Sequence, residues 1–308
     1  MRLIREAELR LAQLFADGEV PGFIHLSVGQ EGVAVGVCAA LAPSDTLASN
    51  HRGHGHALAK GLDLDRFFLE IMGKAEGMCQ GRGGSMHVAD ASVGMLGANG
   101  IVGAGLPIAV GSALAHQVKR NGAVAVVFFG DGALAEGVMH ESFNLASIWR
   151  LPVLFVCENN GWSEFSPTSR QLAADPCALA LSHRIAARSV DGNDVVAVYE
   201  VARTLAGEIR GGGGPRFLEC RTTRVRGHFE GDPQKYRDAA DAARSEDDPI
   251  GRLERLLAED SVPVADIAAA ERDAVARVNT AVARARAGMA PAFDAALRDV
   301  YTPAEARA

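Results

Sequence analysis

This 308-residue sequence lacks any excess of positive charge: 31 Lys and Arg stand against 38 Asp and Glu, for a net charge of −7. Nucleic acids and anionic membranes are met by clustered cations, and here the cations are dispersed, so neither is expected as a partner. Cysteine is sparse as well. The five, at positions 38, 79, 157, 177 and 220, are odd in number and never form a CxxC pair, which argues against a disulfide framework or a zinc ribbon. They read as small core residues of a protein kept in the reducing cytoplasm. No long apolar run survives either. The most apolar stretch, 101–118, is broken by Gly103, Gly105, Pro107, Gly111 and His116, too often for a membrane span of about 20 residues; it reads as a buried helix. The N-terminal MRLIREAELRLAQLF mixes charge with apolar residues at helical spacing, unlike a targeting segment.

What is present is an ordinary globular composition, 48% hydrophobic and 22% charged, long enough to bury a substantial core. Leu3, Ala7, Leu11, Leu14 and Phe15 mark an opening helix that stops at Asp17-Gly18, and a second helix is expected over 29–42. Residues 50–105 are dense in glycine and histidine (NHRGHGH, QGRGGSMH, GANGIVGAG), as where backbone approaches a ligand closely or takes positive φ. A helix over 104–120 leads into AVAVVFF (123–129), a strand covered on both faces. Then come Gly130-Asp131-Gly132, a helix over about 134–149, and a second buried strand, LPVLFVCENN (151–160). This is a strand-helix-strand unit with a loop at each strand's carboxyl end. The pattern recurs over 186–192, 194–209 and 215–225, which predicts an α/β fold whose mostly parallel sheet is flanked by helices. Residues 226–249 read as a long exposed loop and 264–288 as a long helix packed on the body or on a neighbouring subunit.

Gly130-Asp131-Gly132 with Ala135 loosely fits a dinucleotide-binding turn. A carboxylate between the glycines, where a pyrophosphate would lie, and the lack of an acidic residue about 20 positions on count against it. Asp131 calls for a cation. The second strand ends in Asn159-Asn160, 29 positions after Asp131 to Asn160 and so at the same sheet edge. One carboxylate and one amide oxygen suit Mg²⁺, which completes its shell with water and phosphate oxygens. Backbone N–H groups of Gly132 and Ala133, at a helix start, would face the same phosphates. The plainer alternative is a glycine-bounded turn with a capping Asp and two turn-forming asparagines.

GDGALAEGVMHESFNLASIWRLPVLFVCENN resembles the thiamine diphosphate signature, which opens on GDG and closes on NN. More narrowly, the chain resembles the alpha subunit of two-chain 2-oxo acid and acetoin dehydrogenases. GFIHLSVGQE (22–31), HRGHGHALAKG (51–61), GRGGSMH (81–87), NGIVGAGLPIAVG (99–111) and RGHFEGDP (226–233) agree in order and spacing. The resemblance implies a thiamine diphosphate fold, with 1–308 as one diphosphate-binding domain bearing helical appendages at 1–45 and 250–308. It implies that Asp131 and Asn160 ligate Mg²⁺ through side chains and Trp162 through its carbonyl. Gly130, Gly132 and Ala133 would border the diphosphate, and Arg52 would pair with it. Gly100 and Val102 would present backbone to the aminopyrimidine, and His25, His54 and His228 would sit near the phosphates or the reacting carbon as donors or proton carriers. His51 stands where some relatives carry tyrosine, an imidazole in place of the phenol as phosphate donor. Phe229 follows His228 where some relatives carry a phosphorylated serine, so that regulation does not apply at this position.

The resemblance further implies a 2-oxo acid or acetoin as substrate, a beta subunit supplying the pyrimidine-binding half-site in an α2β2 assembly, and a lipoyl acyltransferase or other carrier as acceptor. No segment here reads as that second cofactor-binding domain. Rival readings are a split transketolase-like enzyme and a non-catalytic assembly or regulatory subunit. A zinc site at His51, His54 and His56 is opposed by Arg52 among them. His87 and His116 read as structural, and Met86 as packing under its glycine turn.

Overall fold

In the computed structural model, which describes residues 1–238 and 248–295, six parallel strands form the central sheet. Strands β1 (Thr46–Ala48), β2 (Met95–Gly97), β3 (Ala125–Gly130), β4 (Val153–Asn159), β7 (Ala186–Asp191) and β8 (Arg216–Arg221) run in the order β2-β1-β3-β4-β8-β7. β5 (Trp162–Ser163) and β6 (Ser166–Pro167) form a separate antiparallel hairpin beyond the end of β4. The α/β reading, with a mostly parallel sheet between helices, is borne out.

Alternation along the strands feeds two cores. Val126 and Phe128 of β3, with Leu154 and Val156 of β4, face one layer. It is built by α1 (Arg2–Ala16), α2 (Glu31–Ala39), α3 (His54–Lys60), α4 (Leu64–Ile71), α8 (Val195–Glu208) and the last helix. Ala125, Val127 and Phe129, with Phe155 and Cys157, face the other. There lie α5 (Gly105–Lys119), α6 (Gly137–Ile148) and α7 (Pro176–Ser182). The continuous apolar runs of β3 and β4 follow from this double coverage.

Of the remaining helices, α9 (Pro249–Glu259) packs on α2, and α10 (Val264–Ala287) lies against α4 and α1. The buried stripe Ala274, Val278, Ala281, Val282 and Ala285 accounts for the latter packing. Among the described residues no helix is long and apolar enough to cross a membrane. All five cysteines are free; Cys157 and Cys220 are buried and the other three half-buried.

Two expectations change. The helix expected from about 134 begins at Gly137, because Asp131–Ala135 form a 3₁₀ turn. Of the loop 226–249, residues 239–247 lie outside the described residues, and its earlier part is docked rather than exposed. Asp232 accepts from His228 N–H at 2.7 Å and from the Tyr236 hydroxyl at 2.6 Å. The Glu230 N–H donates to Ile24 O at 2.9 Å, and Arg237 donates to the carbonyls of Arg224 and Arg226 at 2.7 and 2.8 Å.

Candidate active site

A cavity of about 320 Å³ opens at the carboxyl ends of β1, β3 and β4, where open α/β sheets bind ligands. Its walls include Asn50 after β1, Gly130 at the end of β3 with Gly132 and Ala133 beyond it, and Glu158 of β4 with Asn160 and Trp162 beyond that strand. His25, His51, Arg52, Gly100, Val102 and His228 complete the set expected from the sequence, which the fold brings together with two exceptions.

Asp131 lies just behind the wall and is 1% exposed. Its carboxylate accepts from the Thr168 hydroxyl and, at 3.3 Å, from the Asn160 N–H. Burial pushes its pKa up to about 6. The β3–β4 register pairs Gly130 with Glu158, so Asp131 and Asn160 leave adjacent strands at one level. The Asn160 amide donates to Gln30 Oε1 at 3.2 Å, and its oxygen accepts from the Trp162 N–H at 3.1 Å, keeping a lone pair free. Asn159 turns to the opposite face and donates to Glu219 at 2.7 Å. A buried carboxylate that makes no ion pair among the described residues, beside an amide oxygen with spare capacity, fits a hard dication such as Mg²⁺. Gly132 is required for close approach, since a Cβ there would stand 2.9 Å from that of Ser163.

Arg52 is buried and donates to the carbonyls of Leu26 and His228, the latter at 2.9 Å. Burial, then the charge of Arg224, lower its pKa to about 10. Arg224, not singled out from the sequence, is a second buried guanidinium in the wall. It donates to Glu164 O at 3.0 Å and to the Tyr236 hydroxyl at 2.9 Å, while its Nε has no partner. Two cations against one cavity suit a ligand with more than one negative charge.

His25, His51 and His228 pack edge to face or tilted, with ring centroids 4.7 to 5.5 Å apart. Burial, then Arg52, lower the His25 pKa to about 3 and the His228 pKa to about 4, and push that of His51 well below its ordinary value. These imidazoles are neutral near pH 7. The Nδ1 atoms of His25 and His228 are buried without a partner.

His54 is the first exception: it lies behind the cavity, fully buried. Its Nδ1 meets Glu8 at 3.0 Å and its Nε2 meets the Ser85 hydroxyl at 2.8 Å. Burial alone would raise the Glu8 carboxyl, but His54 and Ser27 outweigh it and hold it below the ordinary value. His56 likewise bridges Ser49 at 2.8 Å and Glu158 at 3.2 Å, stacked on Phe128. The zinc reading for His51, His54 and His56 therefore fails, because α3 starts at His54 and sends the three rings to different surroundings.

Met86 lines the cavity instead of packing under its turn, 3.7 Å from where a Cβ on Gly100 would stand. The glycine-rich loop before it wraps Glu70, whose carboxylate accepts the N–H groups of Cys79, Gly81, Gly83 and Gly84 at 2.7 to 3.2 Å. Phe23, Phe165 and Phe229 form an aromatic rim, with centroids 5.6 Å apart for Phe23–Phe229 and 6.4 Å for Phe165–Phe229. Nothing in the sequence signals Glu8, Glu70 or Phe165, whose partners are set by the tertiary fold.

The second exception is Asp131, which is buried and outside the cavity lining. The N–H groups of Gly132 and Ala133 belong to the 3₁₀ turn and not to the first turn of α6. They still border the cavity.

The family model described as "Dehydrogenase E1 component" matches residues 1–293. The alpha subunit of acetoin:2,6-dichlorophenolindophenol oxidoreductase from Bacillus subtilis is 52% identical over 235 residues, 76% of this chain and 71% of that protein. Its counterpart from Cupriavidus necator is 44% identical over 305 residues, 98% of this chain and 92% of that one. The alpha subunit of the pyruvate dehydrogenase E1 component from Zymomonas mobilis is 38% identical over 310 residues, covering 98% and 85% of the two. The resemblance drawn from GDG, NN and their flanking segments is thereby borne out, and the chain belongs to the dehydrogenase E1 component family.

Proposed function

We propose that the chain is the alpha subunit of a thiamine diphosphate- and Mg²⁺-dependent dehydrogenase acting on acetoin or a 2-oxo acid. Its two-carbon or larger fragment would pass to a lipoyl transferase, and a beta subunit in an α2β2 assembly would supply the pyrimidine-binding half-site. The observation that carries this is Asp131 and Asn160 leaving adjacent strand ends at one level, Asn160 on the cavity wall and Asp131 buried behind it, beside two guanidiniums and three neutral histidines. In this reading residues 1–308 are one diphosphate-binding domain, with helical appendages at 1–45 and 250–308, working in the cytoplasm.

When bound, thiamine diphosphate supplies the nucleophilic carbon that attacks a carbonyl. Asp131, Asn160 and the Trp162 carbonyl would hold Mg²⁺. Gly130, with the N–H groups of Gly132 and Ala133, would border the diphosphate, and Arg52, Arg224 and His51 would carry its charge. Gly100 and Val102 would present backbone to the aminopyrimidine. His25 and His228, neutral at working pH, would accept or return protons at their free Nδ1 atoms.

Calorimetric titration tests the reading: thiamine diphosphate should bind with Mg²⁺ present, fail to bind with Mg²⁺ chelated, and NAD should not bind at all. Binding of NAD, or full turnover of a 2-oxo acid by this chain with no partner added, would overturn it.

A further inference from the structure

The cavity holds a second donor set whose chemistry differs from the oxygens at Asp131 and Asn160. His25 follows α1, His51 follows β1 and His228 follows β8, yet each offers one imidazole nitrogen and the three atoms lie within 4.8 Å of one another. Unlike His54 and His56, none of the three meets a carboxylate among the described residues. Two of them, His25 and His228, keep a buried Nδ1 with no hydrogen-bond partner. His25 is only 8% exposed, so that nitrogen has no ready access to bulk water.

We infer that His25, His51 and His228 form a capture site for one borderline transition-metal dication of the zinc, cobalt or nickel type, and that an ion held there blocks the cavity. Three imidazoles with an open fourth position are a donor set these ions prefer, whereas Mg²⁺ selects oxygen. Nitrogens about 2.0–2.1 Å from a common ion sit closer together than they stand here, so binding an ion draws the three rings inward. Arg52 and Arg224 oppose a dication through their charge, which carboxylates of the same cavity counter in part. Arg52 and Arg224 already donate to carbonyls and to a hydroxyl. Glu158 and Glu164 line the same cavity, so two guanidiniums face two carboxylates before Asp131 is counted. Because these histidines also belong to the proposed machinery, their capture would inhibit. The inference does not depend on thiamine diphosphate binding.

The test uses the full chain stripped of metal. Co²⁺ alone should give a saturable visible d–d band of a nitrogen-ligated ion, displaced by Zn²⁺ and untouched by excess Mg²⁺. His51→Tyr and, separately, His228→Asn should each weaken Co²⁺ binding at least about tenfold, the least that disturbing even an outer-shell partner of a ligand costs. Asp131→Asn should leave the band in place. If one histidine variant fails to fold, as read by circular dichroism, the other decides. Absence of the band, affinity unmoved by the histidine variants, or loss of the band in Asp131→Asn would overturn the site. In the complex reconstituted with its beta subunit, Zn²⁺ bound without loss of turnover would overturn the blocking role.

Discussion

His51 and His54 stand three residues apart in one segment and meet opposite surroundings. His54 is closed on both nitrogens by Glu8 and Ser85, and Glu8 is itself satisfied by the Ser27 N–H and hydroxyl. His51 faces His25 and His228 across a cavity, and among the described residues no carboxylate pairs with it. A buried polar group left unmatched costs about 1–3 kcal/mol, so the open trio is where the fold tolerates an expense that the closed pair avoids. Asn159 and Asn160 repeat the contrast, one tied to Glu219 and the other turned to the cavity. Adjacent residues of one type divide here into a structural member and a ligand-facing member, and the division follows from which partners the fold supplies.

The strongest way to break this comparison is to open the closed side. His54→Phe keeps the volume but removes one of the buried hydrogen-bond partners of the Glu8 carboxylate, and a buried polar group deprived of its partner costs about 1–3 kcal/mol, more for a charged one. Denaturant unfolding of the isolated chain should show a loss of that size. A loss below about 1 kcal/mol would mean that Glu8 and His54 are not the matched pair the hydrogen bonds describe.

Asp131 is expected to act with the opposite sign. Its folded pKa of about 6 lies above the ordinary 3.8, so its contribution is fully present below about pH 3.8 and is lost as pH rises through 6. The gap corresponds to about 3 kcal/mol. Without ligand, Asp131→Asn should therefore stabilise the chain by up to that amount at pH 8 and by little near pH 4, as read by unfolding curves at both values. An equal effect at both would show that the carboxylate is not held in a costly charged state. With Mg²⁺ and thiamine diphosphate the order should reverse, because only the aspartate would be stabilised by the dication.

The sequence made these two sites unequally legible. Asp131 and Asn160 could be paired from a distance because each ends a long apolar strand, and parallel register carries both ends to one edge. The sequence places His54 near the phosphates or the reacting carbon through the resemblance alone, because HRGHGH has no visible periodicity and the partner that the fold gives it, Glu8, lies 46 residues away on α1. β1 and β2 escaped for a related reason: three residues each carry no alternation to read, and β1 is a strand only by pairing with β3 and β2. Arg224 was hidden among neighbouring arginines at 221 and 226, with burial alone to distinguish it. Glu70 carries no motif of its own on α4, and only the glycine-rich loop closing around it sets its role.

A gentler probe of the closed side is Ser85→Ala, which removes one neutral partner of His54 and should cost about 1 kcal/mol. A cost close to that of His54→Phe would place the weight of the network on the hydroxyl and not on Glu8.

The smallest expected effect on stability belongs to the open side. His51 has no matched partner to strand, and tyrosine keeps an aromatic ring at the cavity wall, so His51→Tyr should shift unfolding by within about 0.5 kcal/mol. Turnover in the reconstituted complex should nevertheless change, since the residue faces whatever the cavity binds. If substitution of phenol for imidazole leaves the chemistry working, KM for thiamine diphosphate should move more than kcat, as for a group that binds the cofactor without carrying a proton. If kcat falls about 10²-fold or more with KM little changed, His51 belongs with His25 and His228 as a proposed proton carrier. A large loss of stability with neither kinetic change would place His51 beside His54 as a structural residue and remove the comparison altogether.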